Sequence, residues 1–427
     1  MKKSKKLIFT ALMLLIVVIC IEGLARLTYF VMYKHNYNVT QMYNFVKYSN
    51  YGINDAFVMW WDQEIIHPYL GFIYDFNDEQ KNKETYGFPT TGAPLIKREP
   101  GKLNVVLLGG SVAQSMGEVM NAAFRRICRV PPNVVTLGFA GYKQPQQVLA
   151  LAYFLSLGAE YDLIINLDGY NDIVLPFTDN YSVGVNPFFP RNWNLRVSRR
   201  PSKKLLAVIG KVRYLRDFKE ENQEALASSP FKMSAVFGLL KMQQFKKFNW
   251  DINYTTHQLI KLQQEEVKSF EATGPFFEYK DIHELYDDAA AVWERGSVLL
   301  EQLARENRME YYHFLQPNQY VNGSKRLTEE EKRLAYSEEA IISQSAIIGY
   351  PILIKQGRKL LERNIKYFDA TMAFAKEKET VYLDICCHYN QRGKEVLAAY
   401  MMDKIVQNPR IKKFLKEPQP GPGPSRN

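Results

Sequence analysis

Apolar positions along the chain fall into three regimes. The first is a run from Leu7 to Ile21 that resumes from Leu24 to Tyr33 after only Glu22 and Gly23, with Arg26 inside its second part. The uninterrupted part is short for a bilayer span of about 20 residues and has the length of a signal-peptide core. Lys2, Lys3, Lys5 and Lys6 stand in front of it, so its basic end is expected to stay in the cytoplasm. No small-x-small cleavage site follows, and Ile19 stands where a lipoprotein signal needs a small residue. An uncleaved signal-anchor over residues 1–34 is therefore preferred to a cleaved signal, and either one exports the remainder to the periplasm or cell exterior.

The second regime, residues 35–101, is rich in aromatics and has no clean period, as in "MWWDQEIIHPYLGFIYDF". It reads as an irregular lead-in with one hairpin, packed against the main domain. From Lys102 the pattern changes to strands alternating with helices. "LNVVLLGG", "NVVTLGFAGY", "YDLIINLDGYND", "MEYYHFLQPN" and "TVYLDICCH" are apolar runs of the kind a sheet covered on both faces requires. Helical text follows or precedes them at Val112 to Arg126, Gln146 to Leu157, Ala289 to Asn307 and Ile352 to Lys378. The expectation is an α/β domain over residues 102–415, a three-layer sandwich around a mainly parallel sheet. Residues 177–276 interrupt the pattern with helical charge mixing, and such an insertion forms either a lid over the site or a helical decoration. Residues 416–427, "KEPQPGPGPSRN", carry too little apolar content to order.

Composition narrows the function classes. A chain of 427 residues at 46% hydrophobic buries a sizeable core. Its net charge of +10 is spread in small clusters with no recognisable nucleic-acid module, which reads as a solvated basic surface and no nucleic-acid partner. Cys20, Cys128, Cys386 and Cys387 are too few for a disulfide scaffold and lack zinc spacing, although a bridge from Cys128 to the vicinal pair stays open.

In open parallel sheets ligands bind outside the carboxyl ends of the strands. Ser111 follows the first apolar run, Gly138 and Gly141 the second, and Gly169, Asn171 and Asp172 the third. Gln316 and Asn318 follow the fourth, where they would border a pocket, and Asp384 and His388 close the last. Taken alone, Ser111 reads as a helix N-cap and Asn171 as an Asx-turn residue. Taken together they are the parts of an acyl-transfer site: a hydroxyl nucleophile, an imidazole base, a carboxylate to orient it, and donors for an oxyanion from Ser111, Gly141 and Asn171. Gly138 competes with Gly141 for the donor role. A phosphate-binding loop is excluded, because Gly117 is followed by Glu118 and no lysine comes. Among the other histidines, His313 lies inside an apolar strand and reads as a core residue, His257 and His283 lie in charged helical text, and His35 and His67 precede the sheet.

In order, "GGSV", "LGFAGY", "DGYND" and "DICCHYNQRG" resemble the four blocks of the SGNH, or GDSL-like, hydrolases. The resemblance maps that family's serine, glycine, asparagine and histidine to Ser111, Gly141, Asn171 and His388, and implies a flavodoxin-like sandwich that uses no metal or organic cofactor. Two departures stand out: Gly110 replaces the usual aspartate before the serine, and Asp384 lies four residues before His388 where the family has three. The second leaves a Ser-His dyad open. The resulting expectation is a membrane-anchored serine esterase acting on an ester-linked acyl group, such as an O-acetyl group on an envelope glycan. The alternatives are a polysaccharide O-acyltransferase using the same site and a non-catalytic envelope scaffold with protein partners that the sequence does not name.

Overall fold

The computed structural model describes residues 2–40, 42–43, 64–90, 92–197, 203–265 and 269–416. The Pro/Gly tail beyond residue 416 and the start of the aromatic lead-in, including Trp60 and Trp61, lie outside the described residues. The chain opens on helix α1 (Lys2–Tyr33), of which Lys6–Tyr33 is long and apolar enough to cross a membrane. A hairpin of β1 (Glu64–His67) and β2 (Gly71–Tyr74) follows. Its aromatic face is buried: Phe72 and Tyr74 pack on Phe139, and the Tyr142 hydroxyl donates to the Phe72 carbonyl at 2.6 Å.

The sheet begins with β3 (Asn104–Gly109), which leads into helix α2 (Ser111–Ile127). It continues with β4 (Asn133–Thr136) and α3 (Gln146–Ser156), then β5 (Leu163–Asp168) and the short α4 (Tyr170–Leu175). Two long helices, α5 (Lys203–Ser228) and α6 (Ala235–Glu265), interrupt it. It resumes with α7 (Ile282–Glu306), β6 (Glu310–Leu315), α8 (Ile341–Glu362), β7 (Tyr367–Asp369) and α9 (Gln391–Ile405). All neighbouring pairs in the order β4-β3-β5-β6-β7 are parallel. Counted within the sheet this is the flavodoxin-like order, with its switch point between the first and third strands. Every residue of β3, β5 and β6 is buried, as their unbroken apolar runs require. Helices α2 and α9 pack together on one side, and α7 packs with α3 and α8 on the other.

The chain divides into two compact units, Ile53–Arg200 with Glu266–Asn427, which holds the sheet, and Met1–Gly52 with Pro201–Glu265. In the second unit α6 packs against both α5 and α1. Thus the long helices of the inserted segment share a unit with the N-terminal apolar helix.

One strand expectation needs correcting. The last strand is Tyr367–Asp369, and "TVYLDICCH" is a folded loop with one isolated bridge, Tyr382 to Tyr389. Its preceding helix likewise ends at Glu362, not Lys378. The reason is where the backbone donors go. The amides of Val381 and Tyr382 donate to the Glu331 carboxylate at 2.8 and 3.1 Å, and the Leu383 amide donates to the His388 carbonyl at 2.9 Å. The apolar run is buried by packing without entering the sheet.

Glu331 sits in the short helix Glu329–Leu334, capped by Thr328. Its carboxylate also pairs with Lys325 at 2.6 Å, both side chains being fully buried. One buried carboxylate thereby ties three segments together just ahead of Asp384. We predict that Glu331→Ala, which leaves the Lys325 ammonium uncompensated, lowers unfolding stability by about 3–5 kcal/mol in urea titrations. A loss below about 1 kcal/mol would mean that the tie is dispensable.

Candidate active site

The turn from β3 into α2 runs through Gly109 and Gly110. Gly109 has φ +138, and a Cβ there would stand 2.0 Å from the Leu167 carbonyl oxygen, so only glycine lets β3 pass β5 this closely. Gly110 occupies the N-cap position, which makes Ser111 the first helical residue rather than the cap. Its hydroxyl points elsewhere: Ser111 Oγ lies 2.7 Å from His388 Nε2. His388 Nδ1 in turn lies 2.5 Å from Asp384 Oδ2. With the carboxylate accepting at Nδ1, the neutral ring carries its proton there and presents Nε2 to the serine hydroxyl as an acceptor. Three side chains separated by up to 277 positions thus form one hydrogen-bonded chain.

The extra residue between Asp384 and His388 is absorbed by the carboxylate itself. Asp384 Oδ1 accepts from the amides of Cys386 and Cys387 at 3.0 Å each and of His388 at 3.3 Å, curling the loop around one oxygen. The loop carbonyls are held from the segment after β6. Asn318 donates to the Cys386 carbonyl at 3.0 Å, Gln319 to that of Asp384 at 2.8 Å, and Tyr320 to that of Ile385 at 3.0 Å. Sequence reading missed Gln319 and Tyr320. The polar cluster "QPNQY" at a strand end was the available signal, but its partners lie about seventy residues onward. Gln316 and Asn318 are both buried, and Asn318 braces the acid loop instead of facing an open pocket.

Burial works against charge on both members of the pair. It would raise the Asp384 carboxyl, but the His388 ring and the amide donors outweigh it and hold it below the usual range. It would lower His388, but the Asp384 carboxylate prevails and holds the ring up at about 9.

The other strand ends converge on Gly110. A Cβ at that position would stand 2.2 Å from Asn171 Nδ2 and 3.5 Å from the Tyr142 carbonyl oxygen. The Asn171 amide donates to that carbonyl at 2.9 Å, leaving its second hydrogen available. Any Cβ at 110 would require the Asn171 amide to move from this position. The amides of Gly138 and Gly141 differ in hydrogen bonding. The Gly138 amide donates to the Leu107 carbonyl, and those of Phe139, Ala140 and Tyr142 are also committed. Among the described residues only Gly141 in this turn has an amide without an acceptor. Gly141 has φ +84, and a Cβ would meet Arg191 Cδ at 1.9 Å. Arg191 itself is pinned to Asp179 at 2.7 Å, with both groups buried. Asp172 is structural, taking the amides of Gln144 and Gly169 at 2.7 and 3.1 Å. Burial and then the Asp168 charge push its carboxyl up to about 8.

A second serine, histidine and aspartate chain lies in the core. His313 Nε2 meets Asp168 Oδ1 at 2.7 Å and Nδ1 meets Ser297 Oγ at 2.8 Å. His313 and Ser297 are fully inaccessible, so this chain cross-links β5, β6 and α7 and meets no ligand. His388, by contrast, keeps a third of its side chain exposed. All four cysteines are free. Cys386, Cys387 and His388 bring donor atoms within 4.8 Å of one another, but both ring nitrogens already serve Ser111 and Asp384.

No family model and no curated protein matches this sequence. Among solved structures, a candidate acylhydrolase from Bacteroides fragilis NCTC 9343 aligns over 78% of this chain and 98% of its own, at 10% identity and a TM-score of 0.36. An acetyl xylan esterase aligns over 71% of this chain and 100% of its own, at 11% identity and a TM-score of 0.31.

We predict that an NMR titration of the His388 ring gives a midpoint well above the ordinary 6.5, toward about 9, and that Asp384→Asn brings it down to or below 6.5. The sign follows from a raised base. While Asp384 stays ionised, the stabilisation that the raised ring contributes is complete below pH 6.5 and is lost as pH rises through about 9. An unshifted midpoint in the unmodified protein would show that the carboxylate does not act on the ring.

Proposed function

We propose that this protein is a membrane-anchored serine hydrolase that cleaves an ester-linked acyl group. What carries the reading is the hydrogen-bonded chain from Ser111 through His388 to Asp384, ending on a partly exposed hydroxyl at a helix start on the carboxyl edge of the sheet. His388 takes the Ser111 proton as the oxygen attacks the ester carbonyl, and the imidazolium is stabilised by Asp384. The tetrahedral oxyanion accepts from the amides of Ser111 and Gly141 and from the second Asn171 hydrogen. Collapse expels the alcohol, which takes its proton from His388, and leaves an acyl-serine that water then hydrolyses by the same steps in reverse. An O-acetylated envelope glycan is the substrate class that suits an exported, membrane-anchored site. The apolar helix Lys6–Tyr33 supports the anchor, and the lysine cluster before it favours a periplasmic or outer location for the rest of the chain.

A serine-directed fluorophosphonate is expected to label the unmodified protein and to leave Ser111→Ala and His388→Ala unlabelled. Equal labelling of the alanine variant at 111 would end this reading. Asn171→Ala, and also Gly110→Asp through its collision with Asn171, should lower kcat on an aryl acetate by about 10²- to 10³-fold with little change in KM.

The base must be neutral to accept the serine proton. The rate should therefore rise with pH from neutrality toward about 9, and the Asp384→Asn variant should reach its lower plateau at a more acid pH. A profile already flat from pH 6 upward would show that the ring acting as base is not held at a raised pKa.

A further inference from the structure

Two charged residues inside the apolar N-terminal helix have no part in the chemistry above. Counted from Leu7, the hydrocarbon core of a bilayer takes up about 20 helical residues, which brings its far boundary near residue 26 or 27. Glu22 and Arg26 both fall within that depth, where an unpaired charge is costly and usually faces a protein partner.

The structure supplies the partner from the inserted hairpin. Glu22 accepts from the Ala235 amide at 2.7 Å, the Val236 amide at 3.4 Å and the Ser234 hydroxyl at 2.7 Å, so its carboxylate closes the N-terminus of α6. Arg26 donates to Glu22 at 3.0 Å and to the Met233 carbonyl at 3.1 Å. Tyr37 adds a bond to the Lys232 carbonyl at 2.7 Å. The hairpin tip is therefore fastened to α1 at Glu22 and Arg26 and to the segment after it at Tyr37.

The tip has the composition of something immersed in lipid. Pro230 to Leu240 reads "PFKMSAVFGLL", with Lys232 its only charge, and the Lys232 ammonium folds back onto the Ala227 carbonyl at 3.0 Å. Phe231, Met233 and Leu240 expose 66%, 65% and 63% of their surface, too much large apolar side chain in eleven residues for a solvated turn. The sequence, the exposure and the depth set by Glu22 agree.

Resting on the membrane-anchored reading, we propose that the α5–α6 tip, Pro230 to Leu240, inserts into the non-cytoplasmic leaflet beside α1. The protein would then hold the bilayer by one spanning helix and one re-entrant apolar tip, with lipid acyl chains as the occupant of the exposed tip surface. Glu22 and Arg26 are the polar fastening that lets the tip sit at that depth, and a second attachment fixes the orientation of the unit that a lone spanning helix leaves free to swivel.

The test uses the full chain in nanodiscs of phosphatidylethanolamine and phosphatidylglycerol that carry a phospholipid with a diazirine in its acyl chain. After illumination, adducts are mapped by peptide mass spectrometry. Adducts on both α1 and residues 231–240, and none at the exposed Trp250, are the expected result. In Phe231→Asp/Met233→Asp/Leu240→Asp the tip adducts should fall at least about tenfold while those on α1 persist. Adducts on α1 alone overturn the proposal and leave the anchor intact. Adducts on α1 alone together with chain-to-chain cross-links at the tip overturn it in favour of a protein-docking surface. No adduct on either element would overturn the anchor reading and this proposal together. The fluorophosphonate result is independent of all four outcomes.

Discussion

A carboxylate withdrawn from water sets the terms for the site. Asp384 is 1% exposed, and an ion so placed persists only where donors replace its lost hydration. The protein supplies three backbone amides on one oxygen and the His388 ring on the other. The same contacts shape the loop, fix the ring tautomer and aim Nε2 at Ser111. The loop carbonyls are then held by Asn318, Gln319 and Tyr320, and its leading backbone by Glu331, itself a fully buried carboxylate. Charge burial is solved twice in succession, each time by turning the carboxylate into an organiser of backbone.

The sheet supplies the other half of the arrangement. Three parallel strands buried on both faces put their carboxyl ends at one edge, and the β3 to α2 turn delivers Ser111 there only because Gly109 lets β3 and β5 approach within contact. The core chain of Asp168, His313 and Ser297 is a useful contrast. Its distances match those of the edge site, yet all three of its residues are buried. Residue types and spacing in space are therefore insufficient for chemistry. Access and unoccupied donors at the strand ends separate a site from a structural cross-link.

The second unit obeys a different constraint. Its apolar helix carries Glu22 and Arg26, and the hairpin tip takes up their hydrogen bonds. The inserted segment, which in sequence reads equally well as a lid or a decoration, is built around the N-terminal helix. The tip from Pro230 to Leu240 is apolar, with Lys232 its one charge.

Four of the five central strands were legible because a strand covered on both faces must be apolar at nearly every position, a local property. Helix starts and strand ends then marked Ser111, Asn171 and His388 as residues at one edge. The segment from Thr380 to His388 misled for the same reason: it is apolar enough for a strand, but whether it joins the sheet depends on what takes its amides, and that is Glu331, fifty residues earlier. The difference between the amides of Gly138 and Gly141 is likewise one hydrogen bond, from Gly138 to Leu107. The sequence by itself determined which segments are buried and which residues end them, since burial is written in each residue's own chemistry. Only the tertiary structure decided which polar groups meet, because hydrogen-bond partners are chosen by distance in space and no local pattern encodes them.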